Sequence, residues 1–434
     1  MIVASPSVAV VIPTRNRHAA IERTLRAFSA QSPLPGAMEI IVVADGCTDR
    51  TRDIAEANWA VPVRVIEQPH QGPAAARNRG ASETSADIVI FLDDDIEVWP
   101  GFVDAHLQAH AAGDPARVAI GYLPADVQGR RDFFGVTLRG WWDAMFERMR
   151  EPGHRFSYKD LLSGNFSIRR SLFSEVRGFN ERFPCHEDYE LGYRLIRGGA
   201  RLAFAEAAAG WHHEHTDLLR ALSRKRDEGR ADVALAALHP RLTPALPLCR
   251  VARLPRRQRI LRTLALTQPA AGDLVAAAYR SLLVPLEAAR VRTRWRQVLE
   301  ALLTYWYWRG VGESIRAHPS TNATQFNCVA ESPVYTLDLS SGLAVAIRTL
   351  DQERPEALRL CWGAHEIATV PPDPGAEPLR GEHLPSLLRS RYAGRFANAL
   401  AAAHGALADA DAAAPSAASH LPETGPDISS MRGA

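Results

Sequence analysis

Ile88-Val89-Ile90-Phe91-Leu92-Asp93-Asp94-Asp95 sets five consecutive apolar side chains directly against three carboxylates. An apolar run with three β-branched members in five reads as a strand buried on both faces, a pattern typical of a parallel sheet covered by helices. Working outward, residues 8–12 and 40–43 repeat the short apolar run, and residues 63–67 read as a further strand. Between them, residues 19–31, 48–57 and 72–84 have helical character. The β-α-β rhythm over residues 8–215 predicts an α/β domain, a mostly parallel sheet flanked by helices, with ligands at the carboxyl ends of the strands.

With 434 residues the chain is long enough for one large unit and one or two appended ones. A hydrophobic fraction of 46% and a net charge of +2 are ordinary globular values, so overall charge offers no argument for nucleic acid. Cys47, Cys185, Cys249, Cys328 and Cys361 are odd in number, scattered and free of any CxxC pair. That argues against both a disulfide framework and a zinc knuckle, and fits a reducing cytoplasm. No signal peptide is expected, and no apolar run approaches the ~18 residues of a membrane span.

Four units are expected: a catalytic domain over 1–216, a helical region over 217–325, a small β-rich appendage over 326–405 and a disordered tail over 406–434. The helical region is rich in Ala, Leu and Arg. In the appendage, residues 334–339, 344–349 and 358–362 read as short strands, with Ser340-Ser341-Gly342 as a turn between the first two. The tail holds too few large apolar residues to offset its ordering entropy.

Three carboxylates at one strand end repel unless a positive group sits among them, and a hard divalent cation with oxygen ligands, Mg²⁺ or Mn²⁺, would resolve that repulsion. A solvated acidic turn is the plainer reading. Val11-Ile12-Pro13-Thr14-Arg15-Asn16-Arg17 and Val42-Val43-Ala44-Asp45-Gly46-Cys47-Thr48-Asp49 place further polar groups after strands, so that all three loops line one edge. Thr14 and Arg15 could reach ribose or phosphate, although Asp49 reads equally well as a helix cap. In Gly72-Pro73-Ala74-Ala75-Ala76-Arg77-Asn78, a helix N-terminus and Arg77 could face an anion, as could any surface helix. Glu187-Asp188 opens a helical stretch whose positive end favours an ionised carboxylate, fit to take a proton or merely to cap.

Together, VIPTRNR at 11–17, VVADGCTD at 42–49, GPAAARN at 72–78, FLDDD at 91–95, GNFSIRR at 164–170 and HEDYELGYRL at 186–195 resemble the family 2 glycosyltransferases, over about residues 8–216. The resemblance implies a GT-A type fold and inverting transfer of a sugar from a nucleotide-diphosphate sugar, a UDP-sugar first, to a glycan or lipid-linked acceptor. It implies that Asp45 recognises the nucleobase, that Asp93 and Asp95 bind metal and diphosphate, and that Asp188, with Glu187 beside it, is the catalytic base. The donor is then expected against Pro13, Thr14, Arg15, Asp45, Arg77, Asp93, Asp94 and Asn165. Ala44 departs from the pattern, since many members carry two aspartates before that glycine; the identity of the base is thereby left open.

Trp211-His212-His213-Glu214-His215 offers a third metal ligand, with His213 favoured over His215. Trp141-Trp142 could stack on a sugar face or belong to the core. The arginines at 250–262 and 290–296, with Tyr305-Trp306-Tyr307-Trp308, suit peripheral contact with the inner face of a membrane, a solvated helix face being the default. A nucleotidyltransferase would need a glycine-bearing loop after the first strand, which Pro13-Thr14-Arg15-Asn16-Arg17 lacks. An inactive carbohydrate-binding or scaffold module would be expected to lose the metal or base carboxylates, and both are present.

Overall fold

The computed structural model describes residues 6–29, 31, 37–111, 113–317 and 326–412. The apolar runs form β1 (Val8–Thr14), β2 (Met38–Asp45), β3 (Val63–Gln68) and β4 (Ile88–Leu92), which lie parallel in the order β3-β2-β1-β4. Every residue of β4 is fully buried, as a strand sandwiched between helices must be. Helices His18–Phe28 and Pro73–Ser82 fill the crossovers that parallel pairing demands.

Beyond β4 the sheet is mixed. β5 (Ile96–Val98), β6 (Arg117–Tyr122), β7 (Ala125–Asp126), β8 (Asn165–Arg169) and β9 (Arg201–His213) complete it. β8 runs antiparallel between β4 and β6, β9 is parallel to β6, and the short β5 and β7 both pair with the far end of β9. The result is the mostly parallel α/β domain expected. Its polar loops leave β1, β2 and β4 at their carboxyl ends, on one edge.

The helical region holds Leu218–Leu238, Arg256–Thr267, Pro269–Ala288 and Arg292–Ala317. Its first and last helices cross where Gly229 meets Gly310. A Cβ on Gly310 would lie 1.8 Å from the Arg226 carbonyl oxygen, and one on Gly229 would lie 2.0 Å from that of Tyr307, so only glycine permits the approach. The aromatic segment expected at a membrane is instead part of this core: Tyr305, Tyr307 and Trp308 are buried, and the two tyrosine hydroxyls donate to Asp273 and Asp232 at 2.6 Å. Partnered hydroxyls are what allow tyrosines to sit there. Among the described residues no helix is long and apolar enough to cross a membrane.

The C-terminal unit holds the small sheet expected there, with helices about it. β10 (Val334–Asp338), β11 (Ala357–Trp362) and β12 (His365–Val370) form a separate sheet in that order. β10 and β11 are parallel, so a hairpin cannot join them; residues 344–349, expected as a strand, belong to the crossover helix Leu343–Glu353. The clue was present in the spacing of its buried Ala346 and Leu350, four apart. Helix Ala393–Ala412 continues past Gly405, and the rest of the expected tail, 413–434, lies outside the described residues. Cys249 and Cys328 form a disulfide with Cα atoms 5.3 Å apart, a bond not expected from scattered cysteines that argued against a disulfide framework. Their 79-residue separation leaves no local spacing for a sequence reading to notice.

Candidate active site

β1 ends at Thr14, and the loop after it turns back over the triple aspartate. Thr14 Oγ1 donates to Asp94 Oδ2 at 2.7 Å, while Arg17 donates to Asp94 Oδ1 at 2.6 Å and to Asp95 Oδ2 at 2.8 Å. Asp94 is therefore fixed on both oxygens. Burial still lifts its carboxyl to about 7, against the pull of Arg17 and Thr14. Asp94 thus ties the β1 and β4 loops together through both of its oxygens.

Asp93 faces the other way. Arg77, buried in helix Pro73–Ser82, donates to Asp93 Oδ1 at 2.7 Å and to Glu187 Oε1 at 2.9 Å. This one guanidinium couples the acidic strand end to the Glu187-Asp188 helix. It also accounts for two expectations: Arg77 is spent on side chains of the protein, and Glu187 is held in an ion pair. The backbone packs tightly here as well, since a Cβ on Gly164 would stand 2.8 Å from Asp93 Oδ2.

Asp188 is the carboxylate left over. Its one hydrogen bond among the described residues is from the Tyr189 backbone N–H, 2.9 Å. Burial raises its carboxyl to about 6, with the neighbouring Glu187 charge adding to the effect. It lines a hollow of about 370 Å³ with Asp93, Asp95, Trp142, His212, His215, Arg220 and Arg224.

The histidine cluster divides by strand alternation, in which neighbours point to opposite faces. His213 turns away to Glu97 (2.9 Å) and Asp126 (3.2 Å), so the favoured ligand is corrected. His212 is the one facing the acidic cluster, its Nε2 3.8 Å from Asp95 Oδ1. That Asp95 oxygen and His212 Nδ1 are both buried without a hydrogen-bond partner. His215 lines the hollow and contacts Gln128 at 3.3 Å. Among the described residues no three His, Cys, Asp or Glu side chains converge to hold a metal as they stand. An orphaned carboxylate oxygen beside an imidazole nevertheless suits a divalent cation.

Asp45 is buried, with every lone-pair direction taken. It accepts from Gln68 Nε2 (2.8 Å), His70 Nδ1 (2.7 Å), Gln71 N (2.8 Å) and Gly72 N (2.9 Å), and these bonds hold its pKa down despite burial. A carboxylate offers about four such directions, so Asp45 organises the 68–72 loop and has none left for a base N–H. Arg15 extends this network by donating to His70 Nε2 at 2.8 Å. Pro13 lies within β1, in register with Val43 of β2. Asp49 caps the turn at Arg50, its Oδ1 accepting from Thr51 N at 3.1 Å.

Asn165 is corrected too. It is fully buried, donating to the Ala208 carbonyl (2.9 Å) and accepting from His106 Nε2 (2.9 Å). Ser167 and His110 continue that chain, and burial keeps His106 and His110 neutral by lowering them to about 3 and 4. Of the tryptophans, Trp141 is exposed, whereas Trp142 meets His212 edge-on at 4.9 Å and donates to Glu214 at 3.1 Å. Arg17, His212, Arg220 and Arg224 were not singled out from the sequence. For Arg17 the signal was its place in the loop after β1. Arg220 and Arg224 are four apart on one helix face, a spacing also found on any solvated helix.

The end of β4 and the Glu187-Asp188 helix gather carboxylates over one hollow at the carboxyl ends of the parallel strands. Residues 9–177 match the family model Glycosyl transferase family 2. It is 33% identical over 236 residues to validoxylamine A glucosyltransferase of Streptomyces hygroscopicus subsp. limoneus, covering 48% of this chain and 52% of that protein. It is 30% identical over 246 residues to pre-mycofactocin glycosyltransferase of Mycobacterium tuberculosis (strain CDC 1551 / Oshkosh), covering 55% and 49%. The chain thus spans about half the length of these relatives. A solved mannosyltransferase from Pyrobaculum calidifontis, in complex with GDP-Man and Mn2+, is 17% identical over 70% of this chain and 87% of its own, with a TM-score of 0.46.

Proposed function

We propose that this chain is an inverting glycosyltransferase that moves a sugar from a nucleotide-diphosphate sugar to an acceptor hydroxyl, with Asp188 as general base. The observation that carries the proposal is the Asp188 carboxylate, which lines one hollow with Asp93 and Asp95 and takes no side-chain hydrogen bond among the described residues, while Asp93, Asp94, Asp95 and Glu187 are engaged by Arg17 and Arg77. The glycosyltransferase names of the relatives support the same reading.

In this mechanism the acceptor O–H gives its proton to Asp188 as its oxygen attacks the anomeric carbon. The bond from that carbon to the diphosphate breaks on the opposite face, so a single displacement inverts the anomer. Arg220 and Arg224 supply positive charge for the diphosphate, and Trp142 an apolar face for the sugar. The Glu187–Arg77–Asp93 bridge fixes the distance between base and donor loop. Asp95, Asp93 and His212 would hold Mn²⁺ or Mg²⁺, which when bound offsets the charge of the leaving diphosphate. A UDP-sugar is the first donor to try, with a glycan or lipid-linked acceptor.

The test is a panel of nucleotide sugars scored for thermal stabilisation and hydrolysis, with Mn²⁺, with Mg²⁺ and with EDTA. A donor that stabilises the wild type and is consumed only with metal is expected. If no nucleotide sugar is bound or consumed under any condition, the proposal fails.

A further inference from the structure

A helix on the outside of a domain ordinarily turns a polar stripe to water. Pro269–Ala288 does not. It buries Gly272, Ala276 and Leu283 against the helical core, and its only charged residues, Asp273, Arg280 and Glu287, recur every seven positions along one flank. Two of these are engaged inward: Asp273 accepts from Tyr305, and Glu287 from the Phe133 backbone N–H at 2.7 Å. The remaining broad face carries no charge. On it Leu274 and Val284 are each 75% exposed and Leu282 49%, with Ala278 and Pro285 exposed between them.

The adjoining surfaces are basic. Helix Arg256–Thr267, joined to this one by Gln268 alone, adds the exposed Ile260, and no acidic residue occurs between Val251 and Gly272. Arg253, Arg256 and Arg259 there, and Arg290 and Arg292 just past the other end, are exposed, and no ion pair engages them among the described residues. An uncharged face with Leu and Val protruding, bordered by unneutralised arginines, matches a bilayer surface with anionic headgroups: side chains enter the acyl boundary and guanidiniums meet phosphates.

We propose that helix Pro269–Ala288 docks the protein on an anionic membrane surface, lying in the interface plane. It keeps the arginines at 250–262 and 290–296 from the expectation of membrane contact but moves the apolar contact from Tyr305–Trp308, whose rings are largely core, to this helix, and it does not depend on the proposed reaction.

The experiment is flotation of the full chain with phosphatidylcholine vesicles with and without phosphatidylglycerol. Binding only to the anionic vesicles is expected, weakening as salt shortens the screening length from about 8 Å at physiological strength to about 3 Å at 1 M. Leu274→Glu with Val284→Glu should cut partitioning by roughly tenfold or more, and Arg256→Glu with Arg259→Glu should remove the lipid-charge dependence. Both pairs are solvent-facing, so the melting temperature should hold, and the second pair is an independent check if the first misfolds. Three results overturn the proposal: no flotation at low salt, flotation indifferent to both pairs, or a wild-type dimer that Leu274→Glu with Val284→Glu turns into a monomer. The last would mean that a second copy covers the face.

Discussion

Asp188→Asn should make the protein more stable and nearly inactive at the same pH. Asn keeps the shape and the oxygen that accepts from Tyr189 N, and it removes the charge. Burial and Glu187 raise the Asp188 carboxyl from 3.8 to about 6 in the folded state. At ~1.36 kcal/mol per unit, ionising it in place costs the fold at most about 3 kcal/mol. A raised acid pKa contributes stability fully present below about 4 and lost as pH rises through about 6. At pH 7.5 wild type has lost that contribution and the Asn variant has not. The variant should then melt higher by about 1–3 kcal/mol, roughly 2–10 °C, with the gap shrinking toward zero near pH 4. Turnover should fall by roughly 10²–10⁴, an increase of about 3–5 kcal/mol in the barrier, with donor affinity nearly unchanged. In the wild type, kcat should itself fall as pH drops through about 6 and the base becomes protonated. Melting curves from pH 4 to 8, donor titration, kcat and the product anomer by NMR decide it. Normal turnover, a retained anomer, or a variant that melts lower at pH 7.5 would refute the reasoning.

Removing the guanidinium with Arg77→Met leaves Glu187 buried and uncompensated and should cost about 3–5 kcal/mol by denaturant melt, with much of the loss recovered on adding Glu187→Gln. Asp45→Asn turns one carboxylate oxygen into an NH2 donor facing two of the four N–H groups, so it should lower stability by about 1–3 kcal/mol even without nucleotide; unchanged melting with lost donor affinity would show instead that Asp45 reads the base directly. Gly310→Ala forces the Leu218–Leu238 and Arg292–Ala317 helices apart and should cost about 1–3 kcal/mol or more, seen as a lower Tm. Thiol titration of the denatured, unreduced chain should find the three free cysteines Cys47, Cys185 and Cys361, and reduction should release two more. With 79 residues between its ends, that bridge can be worth up to about 4–5 kcal/mol by chain entropy.

The first four strands were legible because β1, β2 and β4 are apolar runs rich in β-branched residues and β3 sets Val63, Val65 and Ile66 about Arg64, and their carboxyl ends told where polar loops would gather. The antiparallel β8 and the pairing of β5 and β7 with β9 were not, since they depend on contacts far apart in sequence, such as Ile90 with Ser167 and Ile96 with His212. Residues 344–349 misled for a related reason: alternation over six residues cannot tell a half-buried strand from a helix when the partner strand is unknown. The aromatic segment 305–308 looked interfacial because sequence gives composition and not the acids, Asp232 and Asp273, that let its hydroxyls be buried.

The same limit explains which site residues could be ranked. Motif spacing brings Asp45, Asp93, Asp94, Asp95, Glu187 and Asp188 to one edge, yet it treats all six carboxylates alike. What separates them is the supply of donors. Asp45 receives four, Asp94 is held by Thr14 and Arg17, and Asp93 and Glu187 share Arg77. An acid with its lone pairs filled is a structural tie, because recruiting it for substrate means first breaking charge-assisted bonds. Among the described residues no side chain fills Asp188, Oδ1 of Asp95 or Oδ2 of Asp93, and all three acids line the same hollow. Chemistry is therefore expected where the protein has withheld a partner, and that vacancy is created by arginines placed elsewhere in the chain, beyond the reach of any local motif.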